Sequence, residues 1–86
     1  MWLWRPELAD SKIAILSVLL SFDESGKPAP PTGQIAALSR QRMKAAEATL
    51  NELAVAGDIK AAGGDTFEIT DRGRTALARA ERDGLI

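Results

Sequence analysis

Two short apolar stripes at helical spacing flank four consecutive polar residues, and this arrangement restricts the chain more than any other feature. Ile35 and Leu38 lie three apart within Thr32-Gly33-Gln34-Ile35-Ala36-Ala37-Leu38. Ala46, Leu50 and Leu53 are spaced by four and three within Met43 to Ala56, and Met43 adds a position one turn earlier. Each spacing returns side chains to one face of an α-helix. The intervening Ser39-Arg40-Gln41-Arg42 is basic and allows only a tight connection, so the two helices must pack on each other. The pattern predicts a short helix over residues 32–40, capped at Thr32, and a longer one over residues 43–56. Gly57, four residues past Leu53, suits a left-handed closing position, and Ile59 then returns to the core.

A hairpin is predicted over residues 58–69, with Gly63-Gly64-Asp65 between Ile59-Lys60-Ala61-Ala62 and Thr66-Phe67-Glu68-Ile69. The glycine pair is a tight-turn signal, and without a following helix and Lys-Ser/Thr it makes no P-loop. Thr70 is placed to cap a last helix over residues 70–83. Upstream, a helix is expected over residues 10–22, opened by Asp10 or Ser11. Its apolar positions Ile13, Ile15, Leu16, Val18, Leu19, Leu20 and Phe22 exceed one stripe, which implies burial on two sides. A central strand competes for Ile13 to Leu20, but Ala14, Leu16, Leu19 and Leu20 favour helix. Pro28, Pro30 and Pro31 make residues 23–31 a loop. Residues 1–9 form an N-terminal arm that carries both tryptophans, Trp2 and Trp4, and Pro6 suits the first turn of a helix.

Eighty-six residues suffice for a single domain with one small core. The absence of cysteine and histidine excludes disulfide frameworks, thiolate nucleophiles, histidine bases and the usual zinc sites. No carboxylate pair sits in an evident pocket, so an enzyme is not expected, and no cofactor, metal or small-molecule ligand is implied. The apolar run Ile13 to Leu20 is too short to cross a bilayer, and no signal peptide is evident, so a cytoplasmic protein is expected. The net charge is −1, yet the charge is unevenly placed: Arg40, Arg42 and Lys44 form a run of three positive residues with no acid among them. That is a local basic spot on a mildly acidic body.

The ending Ala46–Leu50–Leu53–Gly57–Ile59 resembles the "V…L…L…G-L-I" pattern that closes recognition helices in MarR-type and related small bacterial regulators. Ile69-Thr70-Asp71-Arg72-Gly73-Arg74 resembles the "L-T-x-x-G-R" that closes the wing in the same families. The resemblance covers roughly residues 10–80. It implies a mostly α (α+β) winged helix-turn-helix, with three to four helices and a two- or three-stranded β wing. A short extended piece before Thr32 would then pair with the wing. The family pattern differs in three places. Its turn carries a glycine and a Ser/Thr cap where this chain has Arg40-Gln41-Arg42, the short tip here lacks Arg or Lys, and no long dimerisation helix follows.

The fold that is resembled lays its second helix in a DNA groove, and the candidate contacts follow from that placement. Arg40 and Arg42 would meet phosphates, with Gln41 between them counted among the DNA contacts, while Lys44, Ala45, Glu47, Ala48 and Asn51 would face the groove. Asn51 suits adenine and the alanines suit thymine methyls; Glu47 is a cost unless it accepts from cytosine. The competing reading is a solvated helix face of ordinary polar residues. Lys60, Arg72 and Arg74 are open to two roles: contact with DNA backbone, or local balance of Asp58, Glu68 and Asp71. The expected function is sequence-specific binding of double-stranded DNA by a small transcriptional regulator, as a homodimer formed through Trp2, Trp4 and the first helix. The alternative is a winged-helix protein–protein interaction module without DNA binding, which suits the pI of about 5.3.

Overall fold

The computed structural model describes residues 6–82. It is a mostly helical α+β arrangement of four helices and a two-stranded antiparallel sheet. Helix α1 spans Pro6–Glu24, α2 Thr32–Leu38 and α3 Met43–Ala56; strands β1 (Ile59–Ala61) and β2 (Phe67–Ile69) follow, and α4 spans Asp71–Arg82. No described helix is long and apolar enough to cross a membrane.

Helix α1 is the element on which the others assemble. It packs against α2, α3, α4 and β2, which explains why its apolar residues exceed a single stripe. Ile13, Ile15, Leu16 and Leu19 are buried with Ile35, Ala46, Leu50, Leu53, Ile59, Ile69 and Leu77. The helix is longer at both ends than the expected residues 10–22. Proline at the first helical position needs no amide hydrogen, so Pro6 opens it, and neither Asp10 nor Ser11 stands at its start.

Several local expectations are corrected by tertiary contacts. Thr32 does not cap α2: Pro31 holds that place without a side-chain bond, and the Thr32 amide and hydroxyl both donate to the Asp65 carbonyl, at 3.2 and 3.1 Å. Helix α2 stops at Leu38 rather than residue 40. Leu38 and Met43, read as inward-facing, remain 52 % and 45 % exposed. Both lie where α2 ends and α3 begins, at the edge of the core.

The hairpin pairs Ile59 with Ile69, Lys60 with Glu68 and Ala61 with Phe67. Alternation puts Ile59 and Ile69 on the buried face together. The extended piece before α2 does meet the hairpin, since Pro31 bridges Thr66 and the Phe67 amide donates to the Pro30 carbonyl at 3.2 Å.

Gly57 has φ 88°, the left-handed value expected of it. Thr70 does cap α4: its hydroxyl oxygen accepts from the Gly73 amide at 3.2 Å, and its hydroxyl donates to the Gly57 carbonyl at 2.7 Å. Gly73 is more constrained than Gly57. A Cβ there would lie 2.1 Å from the Asp58 carbonyl oxygen and 2.7 Å from Ile69 Cγ1, whereas one on Gly57 would meet nothing closer than Arg72 Cδ at 3.5 Å. Urea unfolding should therefore rank the two alanine variants. Gly57→Ala should cost about 1 kcal/mol through backbone strain. Gly73→Ala should cost roughly 3 kcal/mol, because backbone on backbone has no cheap relaxation. Equal midpoints for the two variants would contradict this close approach.

Candidate nucleic-acid interface

Three helices of this chain close in the same way, and the middle one does so with an unusual residue. At the end of α1 the Gly26 amide donates to Asp23 and the Lys27 amide to Phe22. At the end of α3 the Gly57 amide donates to Ala54 and the Asp58 amide to Leu53. At the end of α2 the Arg40 amide donates to Ala37 at 3.2 Å and the Gln41 amide to Ala36 at 2.9 Å. The pivot of each motif must be left-handed, and glycine takes that place twice. Arg40, at φ 57°, is the one non-glycine residue with positive φ among the described residues. Its Cβ makes that conformation cost about 1 kcal/mol. The cost leaves an exposed guanidinium at the turn.

Helix α3 begins three residues later with its first amides uncapped by any side chain. Arg42 is extended at the capping position, forms no side-chain bond to the first turn, and no acidic residue lies in that turn. The positive end of the helix dipole is thus uncompensated, and the exposed Arg40, Arg42 and Lys44 lie just before it and in its first turn. None of the three forms an ion pair with a described residue. The other cations of the sheet, α1 and the start of α4 are engaged. Lys12 meets Glu52 at 3.4 Å, Lys60 meets Glu68 at 3.2 Å, and Arg72 meets Asp58 at 3.6 Å. Arg74 binds Asp23 and, at 2.8 Å, Asp71. Its pKa is raised, first by the hydrogen bond to Asp23 and then by that carboxylate's charge and by Asp71. An arginine is charged at any working pH, so this is a fixed clamp and not a switch.

The candidate residues separate into two groups in space. Lys44, Ala45, Glu47, Ala48 and Asn51 are all exposed on α3, with Ala46, Thr49, Leu50 and Leu53 buried on its reverse. Lys44, Ala48 and Asn51 follow one another at spacings of four and three, which makes them a single line along the outer face. Val55, 82 % exposed, continues that line four residues further. Val55 is not among the residues expected from sequence to face DNA, although its spacing from Asn51 is helical. Glu47 is exposed on the flank of the line and meets no described cation.

Gln41 and Lys60 are placed differently. Gln41 is half-buried: the Ser11 hydroxyl donates to its Oε1 at 2.6 Å, and its Nε2 reaches the Ser11 carbonyl at 3.4 Å. Ser11 Oγ also lies 2.9 Å from Thr49 Oγ1, so α1, the turn and α3 share one polar cluster. Gln41 thereby anchors the turn from within. Lys60 lies on β1 and is paired with Glu68 across the hairpin. A groove of about 490 Å³ between the end of α3 and α4 is lined by Ala56, Asp58, Arg72, Thr75, Ala76 and Arg79; Arg72, open to two roles from sequence, is paired there with Asp58, and Arg79 was not among the candidates.

No protein-family model matches this chain, and no curated protein does.

The left-handed arginine makes a test that separates stability from binding. Arg40→Gly relieves the Cβ clash, so its urea midpoint should equal or exceed that of the parent, with a gain of up to about 0.5 kcal/mol. If this face meets phosphates, the same substitution should also weaken binding to any duplex. A variant that loses stability as well would mean that the Arg40 side chain holds the turn together.

Proposed function

We propose that the protein is a winged helix-turn-helix that binds double-stranded DNA in a sequence-specific manner, as a small transcriptional regulator. On this reading α2 and α3 are the helix-turn-helix, α3 lies in the major groove, and the β1–β2 hairpin is the wing. The observation that carries it is a local cluster of unpaired cations. Arg40, Arg42 and Lys44 flank the uncapped N-terminus of α3 without an ion pair among the described residues. Of the other described cations, Lys12, Lys60, Arg72 and Arg74 are each engaged by a carboxylate, and Lys27, Arg79 and Arg82, which also lack an ion pair among the described residues, belong to other segments of the chain. A helix start with exposed amides and three cations suits phosphate oxygens. Behind it, the line of Lys44, Ala48 and Asn51 offers a donor, a small apolar contact and an amide to base edges. Glu47 on its flank opposes phosphate and accepts from a cytosine amine, which narrows the sequences tolerated.

The second reading, a protein–protein module without DNA binding, is favoured by a different observation. A shallow, largely apolar groove of about 300 Å³ between α1 and the end of α2 is lined by Val18, Phe22 and Leu38.

Salt titration distinguishes the two. If Arg40, Arg42 and Lys44 each neutralise one phosphate, log K should fall with log salt at a slope of about −2.7 per copy. Arg42→Ala should make that slope shallower by about 0.9 and weaken all duplexes alike. Lys60→Ala should change it little, because Glu68 already meets the ammonium. Asn51→Ala should leave the slope alone and alter which duplex is preferred. A parent protein that binds no duplex even at low salt overturns the proposal in favour of the second reading.

A further inference from the structure

The groove of about 490 Å³ between the end of α3 and α4 is lined by described residues, whereas Trp2 and Trp4, expected to join two copies, lie outside them. Its lining combines charge with small apolar groups. Arg72 and Arg79 are exposed on α4 with Thr75 between them, and Ala56 and Ala76 contribute one methyl group from each helix. Arg79 forms no ion pair among the described residues. Arg72 meets Asp58 through Nε at 3.6 Å, yet its side chain stays 73 % exposed. Asp58 thus tethers that guanidinium at the groove without covering it.

The spacing along α4 suits a second helix. Arg72 and Arg79 are seven residues apart, which puts them on one face, about 10.5 Å from each other along the axis. Thr75 and Ala76 lie between them on that face. A helix laid along the groove presents two acids at the same interval, seven residues apart, and turns the residue midway between them toward Ala56 and Ala76. Small residues at the point of contact let the two backbones approach closely, and an apolar side chain at the midway position fills the recess. Guanidinium groups suit carboxylates at the two ends, where each is met by a pair of donors.

The same lining suits nucleic acid less well. A phosphate backbone presents acceptors without donors. In the groove, however, the Asp58 carboxylate is itself an acceptor, and the Thr75 hydroxyl already donates to the Asp71 carbonyl at 3.0 Å, which leaves its oxygen to accept. A polypeptide carries donors and acceptors side by side and answers both kinds of group.

We infer that the groove between α3 and α4 docks an acidic amphipathic helix of a protein partner. Arg72 and Arg79 take carboxylates two turns apart, and Ala56 and Ala76 receive the apolar residue between them. Ala56 lies roughly 18 Å along α3 from Lys44, so the inference stands apart from the DNA reading and is tested without DNA. The probe is a fluorescein-labelled, alanine-based helical peptide with two Glu seven residues apart and Leu four after the first. Companion peptides carry Lys in place of both Glu, or Ser in place of Leu. In fluorescence anisotropy the intact chain should bind the Glu/Leu peptide and bind both companions more weakly. Arg79→Ala, at an exposed position, should keep the parent's melting and weaken the Glu/Leu peptide by about fivefold at low salt. Arg79→Glu should weaken it by roughly tenfold or more and strengthen the Lys peptide, since the charge is reversed on both sides. A Glu/Leu peptide that does not bind at millimolar protein, or binding that is indifferent to Arg79→Glu or to Leu→Ser in the peptide, would overturn the inference. So would a duplex that displaces the peptide and whose salt slope becomes shallower by about 0.9 in Arg79→Ala, which would assign the groove to phosphates.

Discussion

The Asp58 carbonyl fixes more of this structure than any other group. It accepts the Thr70 amide at 3.0 Å and faces Gly73 so closely that a Cβ there would sit 2.1 Å away. The Asp58 amide meanwhile closes α3 on Leu53, and its carboxylate meets Arg72. One residue therefore ends α3 and receives the start of α4. With those ends joined, Ile59 and Ile69 must pair, and both point into the core. A slip of one residue in either strand would carry that strand's isoleucine to solvent. The register in turn sets how far the hairpin extends, and its far end reaches α2 through Asp65 and Thr32.

The turn before α3 and the middle of that helix are held by polar contacts. Ser11, Gln41 and Thr49 join α1, the turn and α3 in a cluster of side-chain hydrogen bonds, and no buried side-chain polar atom among the described residues lacks a partner. A satisfied polar cluster sets orientation more sharply than an apolar contact of similar size, because its geometry tolerates little displacement. The outer line of Lys44, Ala48 and Asn51 is thus presented by a helix secured at its C-terminal end and at Thr49 on its buried face. Removing either anchor would change the angle of α3 before it changed any exposed side chain.

What was legible from sequence were features with a local cause. The turns, the left-handed Gly57, the Thr70 cap and the existence of all four helices follow from residue type and spacing. Their limits were less legible. Thr32 and Ser11 carry the side chains that usually cap helices, yet each is drawn to a partner more than 29 positions away: Asp65 for Thr32, Gln41 and Thr49 for Ser11. Leu38 and Met43 have the right spacing for the core but lie at its margin, which spacing does not reveal. Among the candidate contact residues, Arg40, Arg42 and Lys44 stood out as an acid-free run. The pairing of Lys60 with Glu68 across the hairpin needed the register, and the inward turn of Gln41 needed the position of α1.

Modest charge gives the proposed readings a common logic. Three cations per copy form a small electrostatic footprint on a body of net charge −1. Such a surface attracts duplex DNA weakly and without much sequence-independent retention. On the DNA reading, discrimination then rests more on the base edges that Asn51 and Lys44 would reach than on the phosphates that any duplex offers.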